Sequence, residues 1–211
     1  MRFSLSNVIP LAMPELAGKP DRIWGNETLI GSPDHYLVKA PSGTGKSTLI
    51  AYLYGIRKDF SGTIKLDDRS SISLKQWSEI RNKKVSVVFQ DLRLFPQLTA
   101  FENIQLKNSF TNYKSEEEIV LLAAKLGVDH KLKSKCGDLS LGQQQRIAII
   151  RALCQPFEFL LLDEPFSHLD DDNIKIACDA IMLECKKQNA GMLVTSLGEK
   201  YHFEYTSILT I

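Results

Sequence analysis

Ala40-Pro41-Ser42-Gly43-Thr44-Gly45-Lys46-Ser47-Thr48 directly follows the apolar run beginning at Tyr36 and precedes Leu49, Ile50, Leu53 and Tyr54 at helical spacing, which Gly55 ends. The pattern predicts a strand, a glycine-rich loop and a helix. The loop matches G-x-x-x-x-G-K-[ST] with alanine in place of the first glycine. Gly43 and Gly45 let the backbone wrap so that its N–H groups point at phosphate oxygens, and the helix starting near Lys46 adds its positive dipole end. On this reading Lys46 reaches the β- and γ-phosphates, Ser47 places its hydroxyl on Mg²⁺ and Thr48 contacts the α-phosphate.

Outward from the loop, two further apolar runs, Val85–Phe89 and Phe159–Asp163, read as buried strands of a parallel sheet. The second delivers Asp163 and Glu164 to its carboxyl end, where a solvated acidic strand end is the bland alternative to a metal and water site. Gln90 directly follows the first. Between the two strands, residues 91 to 155 look helical. Ser115-Glu-Glu-Glu118 forms a capping box, and Ile119, Leu122, Ala123 and Leu126 share one face, which a core alone explains.

Leu139-Ser-Leu-Gly-Gln-Gln-Gln-Arg146 lies between the loop and the acidic strand end. In that order and spacing the three elements resemble the ATP-binding cassette (ABC) ATPases. The resemblance runs from about residue 22 to 196. It implies an α/β fold: a P-loop NTPase with a mixed, mainly parallel sheet, an N-terminal antiparallel β region and an inserted helical subdomain. The whole chain, 1–211, would be one ATPase domain, with a core of about 1–90 and 156–211 and a helical subdomain of about 91–155.

The same resemblance implies roles. Asp163 would hold Mg²⁺, with Ser47 and Gln90 as further metal ligands, and Glu164 would be the general base, with Gln90 and Lys46 beside it. Ser140, Gly142 and Gln143 would close over ATP bound by a second subunit, and Asp170, within Ser167-His-Leu-Asp170, would join the two sites. Leu141 stands where the family places a glycine, and Ser196 where it places a histidine on the γ-phosphate. A serine is shorter and carries no charge, so slow hydrolysis is expected. For the aromatic that would stack on adenine, Trp24 and Phe3 are candidates, with Trp24 favoured as core. Arg146 and Arg151 resemble basic positions of the family, with surface ion pairs as the alternative.

Composition sets the bounds. Basic and acidic residues number 26 and 25, which excludes bulk attraction to nucleic acid. No apolar run approaches the ~18 residues of a membrane span, and the amino terminus lacks a secretion signal. A cytoplasmic location is expected, peripheral to the membrane through a permease. Cys136, Cys154, Cys178 and Cys185 have no metal-ligand spacing and read as buried thiols. Residues 1 to 33, broken by prolines and glycines such as Pro10, Pro20 and Gly25, suggest short strands and turns.

Phe89-Gln-Asp-Leu-Arg-Leu-Phe-Pro96 and Leu98-Thr-Ala-Phe-Glu-Asn-Ile104 resemble the coupling region of lipoprotein-release, macrolide-export and cell-division members. The expected function is that of the ATP-hydrolysing subunit of an ABC transporter, acting as a homo- or heterodimer on a separate transmembrane permease. Two alternatives stand beside it: an ABC ATPase regulating a cell-envelope complex without solute transport, and a weakly hydrolysing ATP switch.

Overall fold

The computed structural model describes residues 1–16 and 22–211; Pro20, one of the expected breaks, lies outside them. Strands β1 (Arg2–Pro10) and β2 (Glu27–Gly31) precede β3 (His35–Lys39), which leads through the loop into helix α1 (Lys46–Leu53). Then come β4 (Phe60–Leu66), α2 (Leu74–Lys83) and β5 (Val85–Val88). Helices α3 (Ala100–Asn108), α4 (Glu116–Lys125) and α5 (Leu141–Leu153) follow, before β6 (Phe159–Asp163), α6 (Asp171–Gln188), β7 (Gly191–Ser196) and β8 (Ser207–Thr210).

The strands form two sheets. An antiparallel sheet of order β2-β1-β4 lies beside a parallel one of order β5-β6-β7-β3-β8. The α/β class with an antiparallel N-terminal region is therefore what the chain adopts. β1 is a nine-residue strand, longer than the short strands expected there. Its register shifts between Ser6 and Ile9, so Phe3 and Leu5 face the core before the shift and Val8 after it. A bulge of this kind resets the two-residue alternation without ending the pairing, which is how a broken apolar pattern still makes one strand.

β6 shows why the parallel sheet sits at the centre. Leu160 and Leu162 pack into a core with Ile147, Ile150, Ile181 and Val194, whereas Phe159 and Leu161 pack into a second core with Phe3, Trp24, Leu49 and Leu53. Successive side chains of a strand point to opposite faces, so a strand apolar at every position must be covered on both. Each fully buried leucine contributes about 1.5–3 kcal/mol. The capping boxes at Ser73, Thr99, Ser115 and Ser140 start α2, α3, α4 and α5, each side chain accepting from the backbone N–H three residues on. These caps fix where each helix begins and hence where α5 presents its first turn.

Candidate functional site: a phosphate loop facing two carboxylates

The loop between β3 and α1 holds Gly43 at φ 78° and Gly45 at φ 97°, both in the left-handed region that glycine tolerates and other residues do not. Pro41, Ser42, Gly43 and Ser47 are exposed, whereas Ala40, Gly45, Lys46 and Thr48 are buried. Trp24 explains part of that. Its indole Nε1 donates to the Thr44 carbonyl at 3.3 Å, and its ring lies beneath Gly45, where an added Cβ would sit 3.3 Å from Cζ2. Trp24 and Phe3 are both fully buried, so neither is open to a base; Trp24 is core, as favoured.

Lys46 turns back over the loop. Its ammonium donates to the carbonyls of Ala40 and Pro41 at 2.9 Å each and pairs with Glu164 at 3.1 Å. Ser47 Oγ donates to Gln90 Oε1 at 3.3 Å, and Gln90 Nε2 donates to Glu164 Oε2 at 3.4 Å. Asp163 sits at the end of β6, 2% exposed, and accepts from Thr195 Oγ1 at 2.8 Å. Burial pushes its carboxyl above the usual range, against the opposing hydrogen bonds from Ser47 and Thr195. The same Thr195 oxygen accepts the Glu164 N–H at 3.0 Å. Thr195 thus ties both carboxylates to β7, a residue that sequence reasoning passed over because a threonine in an apolar strand carries no signal of its own.

Glu164 itself adopts φ 45°. For a non-glycine residue that conformation costs about 1–2 kcal/mol and is held only where its surroundings over-determine it. Here the Thr195 acceptor, the Lys46 ammonium and the Gln90 amide do so, aiming the carboxylate back at the loop.

The described lining of the cleft over the loop comprises residues 42–48 in part, together with Met13, Gln90 and Glu164. Ser140, Gly142 and Gln143, expected to act on a second subunit's ATP, are elsewhere. Exposed Ser140 caps α5, its Oγ accepting the Gln143 N–H at 3.3 Å while the Gln143 side chain accepts the Ser140 N–H at 3.1 Å. Leu141, 56% exposed, points outward from the first turn. An added Cβ at Gly142 would lie 2.8 Å from the His168 carbonyl oxygen, so that glycine also permits α5 to approach the loop before α6. Gln145, fully buried, bridges the two: its amide donates to Ser167 Oγ at 3.3 Å and accepts the His168 N–H at 2.9 Å. Asp170 caps α6, accepting from the Asn173 N–H and side-chain amide, and the first of these holds its carboxyl below the usual range.

Ser196 is fully buried and its Oγ accepts the Gly198 N–H at 3.0 Å. The surface ion-pair alternative for Arg146 and Arg151 gives way to another arrangement. Arg146 donates to the Leu126 and Gly142 carbonyls, and Arg151 to those of Leu92 and Arg93 at 2.6 and 2.7 Å. Both guanidiniums are partly covered, and fixed backbone acceptors serve them there in place of mobile carboxylates.

The family model described as ABC transporter matches residues 35–167, from β3 through the loop, α5 and β6 to the start of the segment before α6. The chain belongs to the ABC transporter family. The lipoprotein-releasing system ATP-binding protein LolD of Legionella pneumophila (strain Lens) is 32% identical over 181 residues, covering 83% of this chain and 80% of that protein. The thiamine import ATP-binding protein ThiQ of Photobacterium profundum is 41% identical over 133 residues, 62% of this chain and 54% of its own length. Among solved structures, a dimeric post-hydrolysis state of the ATP-binding cassette MJ0796 bound to ADP and Pi superposes with a TM-score of 0.77 at 25% identity, over 93% of this chain and 88% of that one. The chain is thus an ATP-binding cassette of the transporter-subunit type, and the family's activity is ATP hydrolysis. Among its described residues no helix is long and apolar enough to cross a membrane.

Proposed function

We propose that this cassette is the ATP-hydrolysing subunit of a transporter, working as a dimer on a separate permease at the inner face of the membrane, and that the residues around Lys46 carry the chemistry. The observation that carries the reading is the convergence of Ser47, Gln90 and Glu164 on Lys46 and the glycine loop, through contacts of 3.1 to 3.4 Å, with the Asp163 carboxyl hydrogen-bonded to Ser47 beside them. Ser47 Oγ, Gln90 Oε1 and the Asp163 carboxylate form an all-oxygen donor set of the kind that suits Mg²⁺. A bound Mg²⁺ would neutralise phosphate charge.

The chain's own residues do the rest. The N–H groups of residues 42–48 and the start of α1 hold the phosphates. Lys46 exchanges its contacts with the Ala40 and Pro41 carbonyls and Glu164 for phosphate oxygens. Glu164, released from that pair, accepts the proton of the attacking water, and Gln90 orients it. Ser140, Gly142 and Gln143, on an exposed turn outside the cleft, act on the second subunit's ATP, with Asp170 beside them. Gln145 links the α5 start to the loop before α6 within one protomer, so closure moves the two together. Ser196, whose oxygen already serves Gly198, gives little support to the γ-phosphate, and hydrolysis is slow.

Residues 91–155 act as the helical subdomain between core segments 1–90 and 156–211. Phe95 and Phe110, 56% and 64% exposed, lie within it, and the segment 89–104 grips the permease. Likeness to LolD favours an exporter-type partner. ATP turnover of the purified protein, alone and with the neighbouring permease in lipid, tests the reading. Activity raised by the permease supports a transport motor. Tight ATP binding without turnover in either setting supports the ATP-switch alternative, which buried Ser196 and outward Leu141 favour.

A further inference from the structure

A second cleft, lined by residues of α1, β4 and α2 and by the segments between them, has a volume of about 170 Å³. Its walls are aromatic. Tyr52 of α1 and Phe60 of β4 meet at 4.9 Å between ring centroids. Trp77 of α2 lies against Gly55, where an added Cβ would overlap the indole, so glycine is what admits that ring. Ile64 and Ile72 add aliphatic surface, and the exposed Lys58, Ser70 and Ser71 supply polar groups.

The charges around this cleft do not balance. Arg57 is matched: its Nε donates to Asp59 Oδ1 at 2.9 Å, and a second guanidinium nitrogen pairs with the same carboxylate. Lys58 has no acidic partner among the described residues. One positive charge is thus left over beside an apolar, aromatic pocket. The volume is that of a single ring, since an engineered apolar cavity of about 150 Å³ takes up benzene. A flat ring there gains offset or edge contacts with Tyr52 and Phe60, and a carboxylate on that ring meets the Lys58 ammonium and the serine hydroxyls.

Two contacts lead from the cleft to the phosphate loop. Arg57 Nη1 donates to Thr48 Oγ1 at 3.4 Å. Tyr52 meets Trp24 edge-on at 6.2 Å, and Trp24 lies beneath Gly45 and holds the Thr44 carbonyl. We infer that this cleft is an effector site for a small monocyclic aromatic carboxylate, whose presence is transmitted to the loop through Arg57 and Tyr52. The site goes beyond the proposed function, and only its coupling to ATP rests on that reading. Coupling between two sites is reciprocal, so the occupant changes ATP affinity by the factor by which ATP changes its own.

Benzoate is the probe, with benzyl alcohol as its uncharged counterpart, on the full chain. The protein has two tryptophans, so magnetic resonance of the two indole N–H groups reads the cleft at Trp77 and the loop at Trp24. Saturable benzoate binding with Kd of about 1 mM or tighter is expected, shifting both signals. Lys58→Gln is expected to weaken benzoate about two- to fivefold, the range for an exposed charge pair, while leaving benzyl alcohol unchanged. Ile64→Trp, which fills the cleft, is expected to abolish binding of both probes, and saturating benzoate to change ATP affinity about fivefold or more. No saturation by about 10 mM benzoate, equal benzoate affinity in Lys58→Gln and wild type, or benzoate binding retained in Ile64→Trp would each overturn the site. Unchanged ATP affinity at saturating benzoate would overturn the effector role. If the wild type binds no ATP in the absence of benzoate while the Trp77 response persists, the phosphate-loop reading falls and the cleft stands.

Discussion

Lys46 and Glu164 form an ion pair of 3.1 Å, their side chains 4% and 14% exposed. The pair holds the carboxylate at the mouth of the glycine loop, and the same ammonium donates to the Ala40 and Pro41 carbonyls. Glu164→Gln retains shape and hydrogen bonding to Gln90 but removes the carboxylate proposed to accept the proton. Turnover is expected to fall about 10²–10⁴-fold, the range for a general base, with ATP binding kept. Single-turnover phosphate release beside equilibrium ATP binding checks it, and a rate within a few-fold of wild type would take Glu164 out of the chemistry.

Gly142→Ala sets a methyl 2.8 Å from the His168 carbonyl oxygen and 3.5 Å from Leu169 Cδ2. Backbone cannot swing aside as a side chain can, so α5 or the loop before α6 must shift. A destabilisation of about 1–3 kcal/mol is expected, as for other overpacked sites. Urea unfolding of the nucleotide-free protein measures it, separating this packing role from any contact with ATP. A midpoint equal to wild type would mean that the two segments part freely.

Lys107 lies between Arg81 and Arg151, with a contact of 3.3 Å to the Arg81 carbonyl. Burial first, then the two guanidiniums, lower its ammonium from the ordinary lysine range to about 8. The folded state therefore binds this proton less readily than the unfolded chain, so folding is penalised while the group is charged and the penalty fades as pH rises from about 8 toward the unperturbed value. Lys107→Met is expected to be more stable than the wild type at pH 7 and to lose that advantage by about pH 10. Paired thermal melts across this window provide the readout; a gap independent of pH would show that the lysine is not desolvated.

The thiols of Cys154, Cys178 and Cys185 are pushed up to about 12 by burial, and that of Cys136 is raised as well. Thiolate is the reactive form, so the folded protein should resist an aromatic disulfide reagent at pH 8, with all four cysteines titrating only in denaturant. Rapid modification of any one in the native state would reveal local opening of the core around α5 or α6.

Much of this site could be read along the chain because its parts are local. The glycines, Lys46 and Ser47 act through backbone geometry that a nine-residue stretch specifies by itself, and Asp163 and Glu164 follow from a strand that must be buried along its length. The capping box at Ser115 was legible for the same reason: all its atoms belong to residues three apart. Thr195 was not legible. Its hydroxyl matters because β7 pairs with β6 in parallel register, Asp163 beside Thr195. Gln145 was likewise hidden, since its partners Ser167 and His168 lie on the far side of β6 in sequence.

The sequence by itself determined the fold class, the family and the order of phosphate loop, glutamine, signature and carboxylates, because periodicity and motif spacing encode short-range backbone geometry. Only the tertiary structure decided that Trp24 seals the loop from below while Met13 faces the cleft, that Ser196 is buried against Gly198, and that Arg146 and Arg151 hold carbonyls. Those outcomes depend on which distant segments pack together and which groups lose water when they do. Burial and partner choice are properties of the assembled core, and no window of sequence contains them.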